Sequence, residues 1–263
     1  MIALLKYTAR KLFHLAGLDV QQHRTANSEP AILRRLISTQ NISLLLDVGA
    51  NTGQFVNLAR GCGFKGRIVS FEAQTDAHRT LCQRSANGRD WIIAPQAAIG
   101  RDEGSIEINI AGNSASSSVL PMLDTHVAAA PGSNYVGKET VRLARLDNVA
   151  APFIRPDDRI YLKVDTQGYE MAVLDGSMGL LNKVLVVQLE LSLVPLYAGQ
   201  PLWVEMSNKL QSLGFELYSI VHGFTDPSSG RLLQVDGIFV RALDNLHPSP
   251  PSKDIGVIKR LIF

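Results

Sequence analysis

Ile42-Ser43-Leu44-Leu45-Leu46-Asp47-Val48-Gly49-Ala50-Asn51-Thr52-Gly53 runs from a nearly unbroken apolar stretch through an acid into a glycine turn. A short apolar run bounded by turn residues is how a strand buried on both faces reads. Gln54 to Arg60 follows with helical spacing, so the stretch is strand, turn, helix. Open α/β sheets bind ligands beyond the carboxyl ends of their strands, which makes this turn a candidate site. Gly49 lets the backbone turn tightly against a ligand, and Gly53 lets the helix begin close to the strand. The spacing is not GxGxxG, because Asn51 holds the middle position, and no GK[ST] follows. Neither a dinucleotide fingerprint nor a P-loop is therefore present.

Outward from the turn the same unit repeats. Arg67 to Phe71 reads as the second strand, Asp76 to Ser85 as a helix with Asp76 as its cap, and Trp91 to Ile99 as containing a third strand that Gly100 ends. Ser105 to Ile110 alternates polar and apolar, the pattern of an edge or hairpin strand. Residues 111–138 are rich in small residues and read as a long loop, a lid or substrate loop. Arg159 to Val164 and Val184 to Leu189 are strands, Tyr169 to Leu181 and Trp203 to Leu213 helices. Phe215 to Val221 and Leu232 to Val240 flank Asp226-Pro227-Ser228-Ser229-Gly230, which predicts an antiparallel hairpin. The sum is a doubly wound, mostly parallel sheet flanked by helices, with an antiparallel terminal edge. Residues 1–40 read as an N-terminal helical extension, with helices over 2–17 and from Pro30 to Ile37 joined by a polar connector. Residues 41–242 form the domain and 243–263 a tail.

Composition narrows the function. A chain that is 46% hydrophobic, 19% charged and only +2 in net charge buries a full core and offers no basic stripe for nucleic acid. Cys62 and Cys82 stand without a CxxC or a His/Cys cluster, as reduced thiols do. Neither a signal peptide nor a membrane span is legible, so the expected compartment is the cytoplasm. Lys6, Arg10 and Lys11 on the first amphipathic helix leave peripheral membrane contact open, against packing on the domain.

Glu72 closes the second strand 25 residues after Asp47, near the roughly 20 at which an acid holds the ribose of an adenosine cofactor. Asp47, Gly49, Asn51, Gly53 and Glu72 form the candidate cofactor set, with Ala98 and Ile99 placed to line an adenine pocket. An acid beside a helix start suits the amine and carboxylate of S-adenosylmethionine better than a pyrophosphate.

The blocks DVGANTGQF, SFEAQ and AAIG, the serine run with Pro121-Met122, and LKVDTQGYEMAVLDG followed by LELSLVPLYAG resemble the FkbM-type methyltransferases over residues 42–241. The resemblance implies a Rossmann-like class I methyltransferase fold and methyl transfer from S-adenosyl-L-methionine to oxygen, often on a sugar or polyketide hydroxyl. Phe71-Glu72-Ala73 stands where that family has FEP; the acid is kept and the proline lost.

Methyl transfer from a sulfonium needs an aligned acceptor and a place for its proton. Asp165, at the end of the fourth parallel strand, is the first candidate for that proton; the competing reading is that it caps a helix or holds the Gln167 turn. Glu190 ends the next strand on the same rim, and His222 follows the sixth strand as a candidate base. Asp165, Glu190 and Asp236 could together hold a divalent ion, against hydrogen-bonding roles for the same acids. Ser116, Ser117 and Ser118 could donate to acceptor or cofactor. The expected partner is a small-molecule or glycolipid hydroxyl acceptor. The alternatives are a catalytically silent ligand-binding or scaffold domain, and a nicotinamide-dependent oxidoreductase, which lacks its glycine motif here.

Overall fold

The computed structural model describes Lys11, Phe13, Leu15 and residues 28–242 except Asn87 and Arg89. Lys11, Phe13 and Leu15 are helical and exposed. The rest of the expected first helix, most of the connector and the tail from residue 243 lie outside the described residues.

Strand β1 (Leu44–Val48) pairs in parallel with β2 (Arg67–Phe71) on one side and β7 (Ile160–Val164) on the other. Beyond β2 lies β3 (Trp91–Ile93), and beyond β7 lies β8 (Val184–Ser192), both parallel. The order β3-β2-β1-β7-β8-β10-β9 is completed by β10 (Gln234–Arg241) and β9 (Phe215–His222). The terminal hairpin forms, but β10 inserts between β8 and β9 and is antiparallel to both. The hairpin is the antiparallel edge that the sequence suggested, with its second strand inside and its first outermost.

Alternation along β1 builds the two halves of the core. Leu44, Leu46 and Val48 pack with Val164, Leu189 and Phe239 on one face. Leu45 faces the other way, with Tyr161, Val186 and Ile238. Onto that second face pack α1 (Glu29–Thr39), through Ile32, Leu33 and Leu36, and α2 (Gln54–Gly61), through Val56 and Ala59. Pro30 in the first turn and the i, i+1, i+4 apolar spacing specify α1. Burying each such leucine is worth roughly 2 kcal/mol.

Four local expectations change. Ala98 and Ile99 do not end the third strand; they form β4 (Ala98–Ile99) in a separate sheet of order β4-β6-β5. There β5 (Gly104–Ala111) is antiparallel to β6 (Tyr135–Ala144), a strand the sequence reading folded partly into the loop. Residues 111–138 are correspondingly more ordered than a long loop. They contain α4 (Asp124–Ala129), a 3-10 turn at Pro131–Ser133 and the start of β6. Short polar side chains satisfy the backbone between them: Ser116 N–H donates to Asn113 Oδ1 and Ala111 N–H to Ser117 Oγ. Finally, α6 (Glu170–Asp175) ends with Gly176 as its C-cap, well before Leu181, and only glycine fits there, since a Cβ would stand 1.9 Å from the Gly100 carbonyl oxygen. Among the described residues the remaining α-helices of the domain are α3 (Thr75–Ser85), with Gln74 and not Asp76 at its N-cap, α5 (Leu146–Ala150) and α7 (Trp203–Ser212). Among the described residues no helix is long and apolar enough to cross a membrane.

Gly49 has φ +78°, and a Cβ on it would lie 1.8 Å from the Asp165 carbonyl oxygen. Gly49→Ala thus meets both left-handed strain and a backbone clash. We expect it to lower unfolding free energy by at least ~2 kcal/mol in a urea titration; a loss below ~0.5 kcal/mol would mean the turn yields.

Candidate active site

The carboxyl ends of β1, β2, β7 and β8 open onto one cavity of about 290 Å³, close to the lower end of the roughly 300–1,000 Å³ of small-molecule sites. The glycine turn and Glu72 form one end, Asp165, Gln167 and Glu190 another, and Ala115, Ser117, Ser118 and Val119 lie across it.

At the first end, Glu72 is 4% exposed and its carboxylate takes two backbone donors. Asn51 N–H donates to Oε2 at 2.7 Å and Gln74 N–H to Oε1 at 2.8 Å. Burial still raises its pKa, outweighing those N–H groups. Asn51 takes the left-handed conformation at φ +45°, which asparagine tolerates, and its Nδ2 donates to Ser114 Oγ. Ala98 and Ile99 line the apolar part of the cavity together with Ile108. Gly53 is not on the wall; it lets α2 start against Trp91, whose ring a Cβ would meet at 2.8 Å.

Asp47 lies beneath the turn, almost wholly buried, and accepts a hydrogen bond from Ser70 Oγ at 3.2 Å. Ser70 Oγ in turn accepts from Trp91 Nε1. Burial pushes the Asp47 carboxyl from 3.8 up to about 7, against the pull of Lys163 and Ser70.

At the other end, the turn after β7 is closed by Glu170, whose Oε1 accepts from Thr166 N–H at 3.0 Å and Gly168 N–H at 3.1 Å. Neither acid caps the following helix, which has no side-chain cap; Glu170 takes the turn's N–H groups, and Asp165 holds the turn through the Gln167 side chain. Gln167 sits at φ +52°, and its Nε2 donates to Asp165 Oδ1 at 2.9 Å and to Glu190 Oε2 at 2.6 Å. Its Oε1 accepts from the Tyr197 hydroxyl at 2.9 Å, which fixes the amide's orientation. Burial, and then the neighbouring Asp165, raise the Glu190 pKa well above the usual carboxylate range.

Lys163, Glu170 and Tyr197 were not singled out in the sequence, and Gln167 was named only as a turn for Asp165 to hold. Lys163 had a signal, since a lysine inside an apolar strand must find partners. Asp236 does not reach the wall; it accepts from Lys163 Nζ at 2.6 Å and from Gln188 Nε2 at 3.3 Å. Among the described residues no group of three or more His, Cys, Asp or Glu has an arrangement that could hold a metal ion. His222 lies exposed at the end of the edge strand β9, near Thr225 and off the cavity wall. A base at that position does not reach Asp165's site. Among the described residues the buried histidine is His126, with Nε2 at 3.2 Å from Ser116 Oγ and a ring against Tyr197. Ser116, Ser117 and Ser118 spend their hydroxyls on the protein: Ser116 Oγ accepts from Asn113 Nδ2, Ser117 Oγ donates to Gln74 and Ser118 Oγ to the Gln167 carbonyl. Cys62 and Cys82 are free thiols, one buried and one exposed.

Residues 47–217 match the model of the methyltransferase FkbM domain. The chain belongs to the FkbM methyltransferase family. Its methyl donor class is S-adenosylmethionine. No curated protein matches by sequence. Among solved structures, an S-adenosylmethionine-dependent methyltransferase from Aquifex aeolicus is similar at 11% identity and TM-score 0.39, over 84% of this chain and 94% of that one. An rRNA methylase from Streptococcus thermophilus is similar at 9% identity and TM-score 0.43, over 85% and 100%. Fibrillarin from Aeropyrum pernix, solved with bound S-adenosylmethionine, is similar at 14% identity and TM-score 0.41, over 75% and 66%. The antiparallel β10 between β8 and β9 lies beyond the matched residues and separates the sheet from a wholly parallel one.

The Asp47 carboxyl is protonated more readily in the fold than in the unfolded chain. Its stabilising contribution is complete below about pH 4 and is lost as pH rises through about 7. Asp47→Asn escapes that loss. Relative to wild type, the variant should gain up to about 4 kcal/mol in unfolding free energy between about pH 4 and pH 8. A pH-independent difference would show that Asp47 stays ionised.

Proposed function

We propose that this FkbM domain transfers the methyl group of S-adenosylmethionine to the oxygen of a hydroxyl, in a glycosyl or glycolipid acceptor, acting in the cytoplasm. The carrying observation is that one cavity joins the glycine turn and Glu72 to the Asp165–Glu190 pair. The residues at its first end fit the donor. Glu72, pinned by two N–H groups, keeps lone pairs for ribose hydroxyls, and Ala98, Ile99 and Ile108 offer an apolar slot for an adenine. Bound S-adenosylmethionine supplies an activated methyl group on a positive sulfur.

What remains for the chain is to hold the acceptor and take its proton. Asp165 is the more exposed of the two acids, with 35% of its side chain open, and Gln167 aims it. Glu190 is half-buried, and burial together with the neighbouring Asp165 raises its pKa, which makes it the less ready of the two to take up a negative charge. Asp165, the more open of the two, accepts the hydroxyl proton as the new C–O bond forms. The acids and amides at this end support a polar, hydroxyl-bearing acceptor, and the segment from Ala115 to Val119 shields the transfer from water.

Calorimetry tests the donor: S-adenosylmethionine should bind and NAD should not, and Glu72→Ala should weaken the donor at least ten-fold. Labelled-methyl transfer into lipid and glycan extracts tests the acceptor, with product stable to base as an ether is. Asp165→Asn should keep donor affinity and lose about 10²-fold or more in transfer rate; full turnover would remove Asp165 from the chemistry. EDTA should leave the rate unchanged.

A further inference from the structure

The proton transfer above leaves one charged side chain on the cavity wall without a role. Lys163 lies on β7 two residues before Asp165, so the two side chains share a face of the sheet. It lines the cavity, yet its side chain is only 7% exposed. Nζ stands 2.6 Å from Asp236 Oδ1 and 3.7 Å from Asp165 Oδ2, with the Phe55 ring 5.9 Å away. Asp236 on β10 is paired in register with Glu190 on β8, so carboxylates from three strands surround one ammonium. Burial works against that charge, but Asp236, Asp165 and Glu190 outweigh it and hold the lysine protonated.

The two distances differ in kind. At 2.6 Å Asp236 takes one N–H and anchors the ammonium. At 3.7 Å Asp165 is an ion-pair partner beyond hydrogen-bond reach, although both residues line the cavity. An ammonium has three N–H donors, and a single oxygen at about 2.8 Å from each atom would bridge the gap.

We propose that Lys163 is a catalytic residue: anchored by Asp236, its ammonium donates a hydrogen bond to the acceptor oxygen while Asp165 removes that oxygen's proton. This rests on the oxygen-directed methyl transfer proposed above. The acceptor O–H bond breaks with its proton going to the Asp165 carboxylate. The oxygen's electron pair forms the bond to the methyl carbon, and the C–S pair returns to sulfur, which becomes a neutral thioether. Lys163 gives up no proton; it stabilises the negative charge that grows on oxygen. One buried ammonium thereby serves where a divalent ion polarises a hydroxyl in metal-dependent enzymes.

The alternative is that Lys163 only neutralises buried acids, away from the reacting atoms. Two donor-site ligands separate these without knowledge of the acceptor. Sinefungin places an ammonium where the donor carries its methyl sulfonium, whereas S-adenosylhomocysteine is neutral there. If Lys163 faces the transfer point, removing its charge favours sinefungin. Lys163→Met should improve sinefungin relative to S-adenosylhomocysteine by ten-fold or more in calorimetric Kd. Lys163→Met with Asp236→Asn removes the ammonium together with the carboxylate that anchors it, serves if the single variant does not fold, and should shift the ratio the same way because Asp236 is off the wall. A ratio within two-fold of wild type, in a folded variant that binds both ligands, overturns the assignment. Failure of the wild-type protein to bind either ligand would instead overturn the donor reading, and this inference with it.

Discussion

The site depends on one close approach. Parallel β1 and β7 lie side by side, and the turns that leave them meet where Gly49 presses on the Asp165 carbonyl. No side chain fits between them. Asp165 N–H also donates to the Val48 carbonyl at 2.9 Å, so the contact is held as well as tolerated. Because of it, the turn that suits a cofactor and the turn that carries the acid pair share one rim, and a single cavity serves both.

Around that contact the fold takes charge into its interior and pairs it. An isolated buried carboxylate or ammonium costs several kcal/mol, so each must be satisfied or neutralised. Asp47 tends toward neutrality, Glu72 and Glu170 take backbone N–H groups, and Lys163 sits among acids from three strands. Such a network is expensive for a core of Leu and Val to carry. Its concentration at the strand ends, with the apolar clusters behind it, is the usual mark of a functional site.

The segment across the cavity follows the same economy of polar groups. Its serines and asparagines look like a mobile loop because small polar residues favour turns. Here they hydrogen-bond one another, His126 and the Gln167 turn, and Tyr197 bridges Ser116 to Gln167. The covering segment and the acid pair are therefore one hydrogen-bonded unit.

Much of this was legible in the chain. Apolar runs ending in Asp47, Glu72 and Asp165 mark buried strands whose ends carry polar chemistry, and the periodicities of β1, β2, β7, β8 and α2 needed no tertiary information. Local pattern also located Glu190 and the terminal hairpin. Tertiary structure decided what depends on neighbours distant in sequence. The insertion of β10 inside the edge, the splitting of Ala98–Ile99 into a second sheet and the exile of His222 all follow from which strand pairs with which. The partners of Lys163 come from β7, β8 and β10, up to 73 residues away, and the grip of Tyr197 on Gln167 spans 30. Periodicity reports which face of an element is buried; it carries no record of what the fold places opposite.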